Sequence, residues 1–404
     1  MRKLLISGVS VLALGFTTAA IAGNVSTVDQ IGATNSATVD QTGGNFGLSD
    51  VNQTGDTDSA SVTQSDGGTS ASVTNDALID QIGGSGTQTA SIVQNNSADG
   101  LVNTARITQD ETNGLNTGTI DQSGEGNNAV VQQGPSEATF GPFAPFPGAT
   151  VAENTSSITQ AGTGNSATTE QIFETNGGSG NSATISQGGN QNIAAINQGS
   201  GTAFFDPASN DNNNTGLIAQ AGSLNNSTIN QGGEVSNATN TQIGNSNTSV
   251  ITQSGGIPAG LPLGPLGNDA LVTQIGNDNS STVNQTDTFV GDLPAVPAGG
   301  FASVTQTGND NSSTIDQGPL GGHNALVNQT GNDNTSIISQ AGLLNTANVM
   351  QLSDDNFSEV NQDDGFLITP LGNTATVTQG ATGTVSNHSF VTQTGALNVA
   401  SVAQ

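Results

Sequence analysis

The chain contains no cysteine, no tryptophan and no tyrosine, and only 3 of its 404 residues are Lys or Arg. The missing cysteine removes disulfide staples, thiolate metal sites and thiol nucleophiles together. The only 2 histidines, His323 and His388, stand apart in sequence, so no nucleophile and base pair is legible and the chain reads as a non-enzyme with no cofactor. His323 lies in a Gly-rich stretch and reads as a solvated loop residue. Aromatic residues make up 3% and hydrophobic residues 32%, too little for an ordinary thick globular core. The 32 acids against 3 bases give a formal charge of −29, which excludes nucleic acid as a partner. Past the N-terminus no apolar run is long enough to span a bilayer.

At the N-terminus, Met1-Arg2-Lys3 precedes an apolar run from Leu4 to Phe16 and the small-residue site Ala20-Ile21-Ala22. Residues 1–22 therefore read as a secretory signal peptide, and 23–404 as one repeat domain in an extracellular setting. Its removal would leave Arg106 as the one strong base against 32 acids, a charge of −31. Composition alone points to disorder, but the spacing of Gln and aliphatic residues argues for a repeat architecture.

The clearest copy runs from Gln329 to Gln362 as QTGNDNTSIIS, QAGLLNTANVM and QLSDDNFSEVN, three consecutive units of eleven residues. The unit is Q-x-G-x-x-N-x-[AS]-x-[VI]-x-Q. From Asn onward the marked positions alternate, the period of an extended strand, so Asn, the small residue, the aliphatic and Gln share one face. The Gly supplies the backbone freedom of a turn. Each unit is one strand and one corner.

Motif Gln residues recur at 28 sites from Gln30 to Gln404, and 14 of the 27 gaps are eleven residues long. Val or Ile stands two residues before every one except Gln171 and Gln242, where Thr169 and Asn240 replace it. From Gln122 onward the strands pair, every gap inside a pair being eleven residues except the last, from Gln379 to Gln393, and all 12 Pro lie in the gaps between pairs. Proline lacks the backbone donor a ladder needs, so these gaps read as loops along one edge, at 134–149, 199–215, 254–268, 286–300 and 363–371. In the N-terminal third the longer gaps fall in the opposite phase, Val73-Thr74-Asn75 is a near-miss strand, and the register is open.

The expected fold is an all-β solenoid with two strands per coil, about 14 coils and roughly 65 Å of cross-β stacking. One buried Val or Ile per strand contributes about 1.5–3 kcal/mol, while ordering each residue costs about 1 kcal/mol or more. Stability must therefore come from stacking, through backbone bonds and ladders of identical amides. The expected ladder comprises Gln30, Gln41, Gln160, Gln171, Gln306, Gln317, Gln329, Gln340, Gln351 and Gln362, with Asn35, Asn165, Asn311, Asn334 and Asn345. Motif strands begin near Val28 and run to Gln404, with no capping segment legible. An uncapped coil is an unpaired edge, so the expected partner is a second copy of the chain.

The repeat resembles the curlin family, whose units carry Gln-x-Gly-x-x-Asn-x-Ala-x-x-x-Gln. Gln30, Gly32, Asn35, Ala37 and Gln41 fit it, as do Gln160, Gly162, Asn165, Ala167 and Gln171. The resemblance covers nearly all of 23–404. It implies a secreted subunit of curli-like functional amyloid fibres at the cell surface or in biofilm matrix, serving adhesion, with a nucleator subunit and an outer-membrane export pore as further partners. The chain departs from the family in its number of repeats, its Pro- and Phe-rich insertions and its lack of a non-repeat segment before the first strand.

Other readings remain at this point. Asp278, Asp310, Asp333 and Asp355 recur at one motif position, which suits either a column of calcium ligands or a solvated acidic corner that limits sideways clumping. A monomeric solenoid acting as adhesin or ice-binding protein is the alternative to a fibre. For ice binding, the outward row Thr38, Ser61, Val130, Thr168, Ala195, Thr228, Val250, Thr282, Thr314 and Ile337 is too mixed. Phe140, Phe143, Phe146, Phe204 and Phe205 mark the insertions as candidate contact loops.

Overall fold

The structure, a computed structural model, describes residues 23–41, 47–66, 75–83, 86–96, 101–111, 115–135, 153–173, 180–199, 213–232, 235–254, 267–286, 299–318, 321–364, 372–380 and 386–404. The expected signal peptide, Val73, Thr74, the five loop phenylalanines and most of each insertion lie outside these residues.

Among the described residues, alternation along each repeat produces 28 strands, and these sort by parity into two sheets. Sheet A takes β1 (Val25–Ile31), β3 (Leu48–Thr54), β5 (Asn75–Gly83), β7 (Asn103–Glu111), β9 (Asn128–Pro135), β11 (Ser166–Phe173) and β13 (Ile193–Gly199). It continues through β15 (Asn226–Gln231), β17 (Thr248–Ser254), β19 (Ser280–Thr286), β21 (Ser312–Gln317), β23 (Thr335–Ala341), β25 (Phe357–Asp363) and β27 (His388–Thr394). Sheet B takes β2 (Ser36–Asp40), β4 (Ser59–Asp66), β6 (Thr89–Asn96), β8 (Thr117–Glu125), β10 (Thr155–Thr163), β12 (Ser182–Asn190) and β14 (Thr215–Ser223). It ends with β16 (Asn237–Asn245), β18 (Asp269–Asn277), β20 (Phe301–Thr307), β22 (Asn324–Thr330), β24 (Thr346–Gln351), β26 (Thr374–Gln379) and β28 (Val399–Ala403).

Each sheet holds 14 parallel strands in sequence order, so the chain is an all-β solenoid with two strands per coil. Pairing is in motif register throughout: Gln306 lies beside Gln329 and Gln329 beside Gln351. The register left open in the N-terminal third follows the same rule, with Gln53 beside Gln81 and Gln81 beside Gln109. The sheets do not break where the gaps change phase. What changes is the corner that takes the insertions: the long links β4–β5 and β6–β7 lead from sheet B to sheet A, whereas β9–β10, β13–β14 and β17–β18 lead from A to B. The tight β8–β9 turn marks the exchange.

The interior is one side-chain layer thick. The aliphatic position of one sheet packs against the small position of the other, as where Gly118 on β8 lies against Ile107 and Val131. A β-carbon at Gly118 would approach the Ile107 side chain to 3.0 Å, which is why this position takes only small residues. Ile79, Ile107, Val131, Ile251, Val304 and Val360 are all fully buried. At the corner, Gly276 combines a φ of +124° with the carbonyl of Gly308 where its β-carbon would be, so the motif Gly is needed for space as well as conformation. Of the prolines, only Pro135 is described; as the last residue of β9 it closes a strand instead of interrupting one.

Candidate functional site

Gln lies at or within a few residues of the end of each strand with its side chain turned inward, and in-register pairing stacks the amides. In sheet A a ladder of 13 bonds runs unbroken from Gln30 through Gln171, Gln317, Gln340 and Gln362 to Gln393. In sheet B a second ladder of 13 runs from Gln41 through Gln160, Gln306, Gln329 and Gln351 to Gln404. In each bond Nε2 of the earlier coil donates to Oε1 of the next, as from Gln329 to Gln351 at 2.9 Å. The same nitrogen also donates to the first carbonyl of a strand in the opposite sheet: Gln329 to Ser312 at 2.9 Å and Gln340 to Asn324 at 3.1 Å. Each Gln thus ties coil to coil and sheet to sheet.

The motif Asn residues divide between two corners. Asn165, Asn311 and Asn334 stand where sheet B passes into A, and Asn35 and Asn345 where A passes into B. Here the direction reverses: the later coil donates, with Asn334 N and Nδ2 both reaching Asn311 Oδ1 at 3.1 Å. The Nδ2 of Asn311 also reaches the Gly331 carbonyl at 2.8 Å, giving this partly buried corner group a donor. Gln and Asn amides therefore stack with opposite donor directions along one axis.

His323 corrects its reading as a solvated residue. It is 1% exposed and occupies the Asn place at the A-to-B corner, where Nδ1 accepts the Asn345 backbone N–H at 3.2 Å. Burial pushes its pKa down to about 4. The gap from Gln317 to Gln329 holds one extra residue, which hides this when counting forward. Counting back from Gln329 reveals it. Asp58 takes the same column on β4's side and is 1% exposed. Its N–H donates to Asn35 Oδ1 at 3.0 Å and its Oδ1 accepts from Gln88 N at 3.3 Å, but its Oδ2 has no partner among the described residues.

Asp278, Asp310, Asp333 and Asp355 do stand in one column, all exposed, with φ of 56–58°. Asp tolerates this left-handed conformation better than most side chains, which accounts for its recurrence there. Among the described residues no three His, Cys, Asp or Glu side chains gather into a metal-holding group. The ordered feature of this corner is the preceding residue. Asn245, Asn277, Asn309 and Asn332 each donate N–H and Nδ2 to the side-chain oxygen of the next coil, and the run ends on Asp354, which can only accept. The first Asn of G-N-D-N was the signal for this third ladder.

The row considered for ice binding proves to be two rows, with Thr38 and Ser61 on sheet B and the other eight residues on sheet A. The two outer faces differ. Over β4, β6, β8, β10 and β12, 13 of the 15 outward positions between Asn and Gln are Ser or Thr, against 4 of 15 on the sheet A strands β3 to β11. Over both whole faces, the same positions carry Asp40, Asp121 and Asp269 on sheet B. Sheet A carries Asp29, Asp50, Asp76, Asp80, Glu170, Asp316, Glu359 and Arg106. No helix of the described residues is long and apolar enough to cross a membrane. No protein-family model matches the chain, and no curated protein matches it.

Proposed function

We propose that the chain is a secreted structural subunit that assembles end to end into extracellular, curli-like amyloid fibres serving adhesion and biofilm matrix. The observation that carries this reading is the state of the first and last described coils. Among the described residues, strands β1 and β2 each pair on one side only, as do β27 and β28. Their core residues Val28, Ala37, Val39, Ala400 and Val402 are only partly buried, while the equivalent interior residues are sealed. Gln30 and Gln41 offer Oε1 atoms of the kind that every interior coil fills from the coil before it. Addition of the final coil of one copy to the first coil of another would continue both sheets and both Gln ladders in the same direction. A nucleator subunit and an outer-membrane export pore are the further partners this reading brings. The test is electron microscopy of purified protein after incubation, with fibre diffraction for strand spacing. Persistently soluble monomers would overturn it.

A second reading, a monomeric solenoid that binds a regular surface such as ice, draws on the hydroxyl-rich outer face from β4 to β12. Thermal hysteresis in a solution of unassembled protein would favour it over the fibre.

A further inference from the structure

The outer face of sheet B has a central column, the middle of the three outward positions, that runs from Thr38 on β2 to Ser401 on β28. It contains only Ser, Thr, Leu and Asn, in a chain of formal charge −29. The matching column on sheet A carries Asp50, Arg106 and Glu359. The sheet B column is hydroxyl-bearing through Ser61, Thr119 and Thr184, and beyond it Leu217, Leu271 and Leu326 alternate with Thr239, Ser303 and Asn348. Leu217 and Leu271 are 36% and 40% exposed, and beside them Ile243 pairs with Ile275 on neighbouring strands. The flanking charge Asp269 is held by the Asn237 amide at 2.8 Å.

We infer that this face docks on the same face of a second copy, related by a two-fold axis parallel to the stacking direction. Such an axis keeps each coil level with its counterpart, so the hydroxyl half meets the hydroxyl half and the leucines meet leucines. It also reverses strand direction across the interface. The central column then faces itself, while each flanking column faces the other: Asp121 comes opposite Thr117, and Asp269 opposite Thr273. No carboxylate on these positions meets its own copy, and the only column that must meet itself is the one without charge. A two-fold perpendicular to the stack would instead set the leucines against the hydroxyl half. Fourteen strands by five residues give roughly 1,000 Å² per partner, above the about 800 Å² of a standard interface. A central column without charge, small and hydroxyl-bearing through its first half, lets two such faces approach closely. In its filament form the inference rests on the assembly reading and makes paired filaments of one polarity. In unassembled protein it makes dimers.

The native chain has no cysteine, so single introduced cysteines report which faces meet. Thr239→Cys, on the central column, is expected to form a disulfide-linked homodimer on oxidation. Thr241→Cys alone is not, because it faces Asn237, but Thr241→Cys mixed with Asn237→Cys is expected to crosslink. Thr228→Cys on sheet A is the control and stays monomeric under denaturing electrophoresis. As a second measurement, Thr239→Asp with Ser303→Asp should halve filament width while filaments still form. Crosslinking from Thr228→Cys, absence of it from Thr239→Cys, or unchanged width in the Asp variant would overturn the proposal. Absence of Thr239→Cys crosslinking includes the case in which the insertions cover this face. Should no filaments form at all, the assembly reading fails by itself, and the crosslinking pattern and solution mass still decide the pairing.

Discussion

The hydroxyl of Ser156 on β10 meets that of Thr169 on β11 across the solenoid interior, 2.5 Å apart. Thr169 is one of two residues that replace the buried aliphatic, and the other, Asn240, donates to Ser227 in the same manner. The polar substitution and its partner thus come as a pair, one from each sheet. Ser156→Ala alone should strand the Thr169 hydroxyl and cost about 1–3 kcal/mol, whereas Ser156→Ala with Thr169→Val should be close to neutral. A double-mutant cycle on denaturant midpoints checks this, and additive losses would show that the two hydroxyls do not act together.

The contrast between those two sites and the rest shows what a reader of the sequence can see. The return of Val283, Ile315 and Ile338 to one phase declares strand, face and stacking together, because in-register pairing needs only the period. Contacts across the interior do not follow the period. Ser156 and Thr169 are 13 residues apart on opposite sheets, and nothing in either repeat marks the match. His323 was hidden by one extra residue in its corner. The G-N-D-N corners invite attention to the charged residue, although the ordered ladder belongs to Asn277 and Asn309 beside it. For Ser156 and Thr169 the missing information is a packing relation, whereas His323 and the corner Asn residues were legible in the spacing once counted from the following Gln.

Gln306, Gln329 and Gln351 occupy three successive rungs of sheet B. Changing all three to Ala removes ladder bonds and the donors to the partly buried Ser280, Ser312 and Thr335 carbonyls, and leaves the buried amides of Gln274 and Gln379 without their ladder partners. Assembly followed by dye fluorescence should slow severely, at about 1 kcal/mol or more per lost bond. Thr314→Ala, on the outer face of sheet A, should assemble like the parent. Equal rates would remove the ladder from the explanation.

Like charges accumulate whenever one copy joins another, and stacked carboxylates about 4.8 Å apart cannot separate within a ladder. Seeded growth should accelerate with salt, which screens over about 10 Å at 0.1 M. With Asp278, Asp310, Asp333 and Asp355 exposed in a single column, calcium and magnesium should act alike at matched ionic strength. Calcium acceleration at far lower concentration, abolished by changing those four to Asn, would make the column a metal site after all.

His323 and Asp58 occupy the same corner column and bring opposite pH dependences to it. Burial holds His323 neutral, lowering its pKa from 6.5 to about 4, so its share of stability is complete above pH 6.5 and is lost as pH falls toward 4. Protonation would also end the acceptance of the Asn345 N–H by Nδ1. The whole span corresponds to roughly 3 kcal/mol. His323→Asn, which restores the usual residue of the column, should flatten this acid loss. For Asp58, burial first, and then the charge of Asp56, push the pKa above 3.8, with the Gln88 bond pulling the other way. Its penalty is absent below pH 3.8 and grows as pH rises through the folded value, because the unpaired Oδ2 must then carry charge in a place where other coils present an amide. Asp58→Asn should therefore stabilise the first coils at neutral pH and do little in acid. Denaturant midpoints of the two variants across pH 3 to 8 check both signs, and a stabilisation by Asp58→Asn that is the same at every pH would mean that packing, and not ionisation, is what the carboxylate costs.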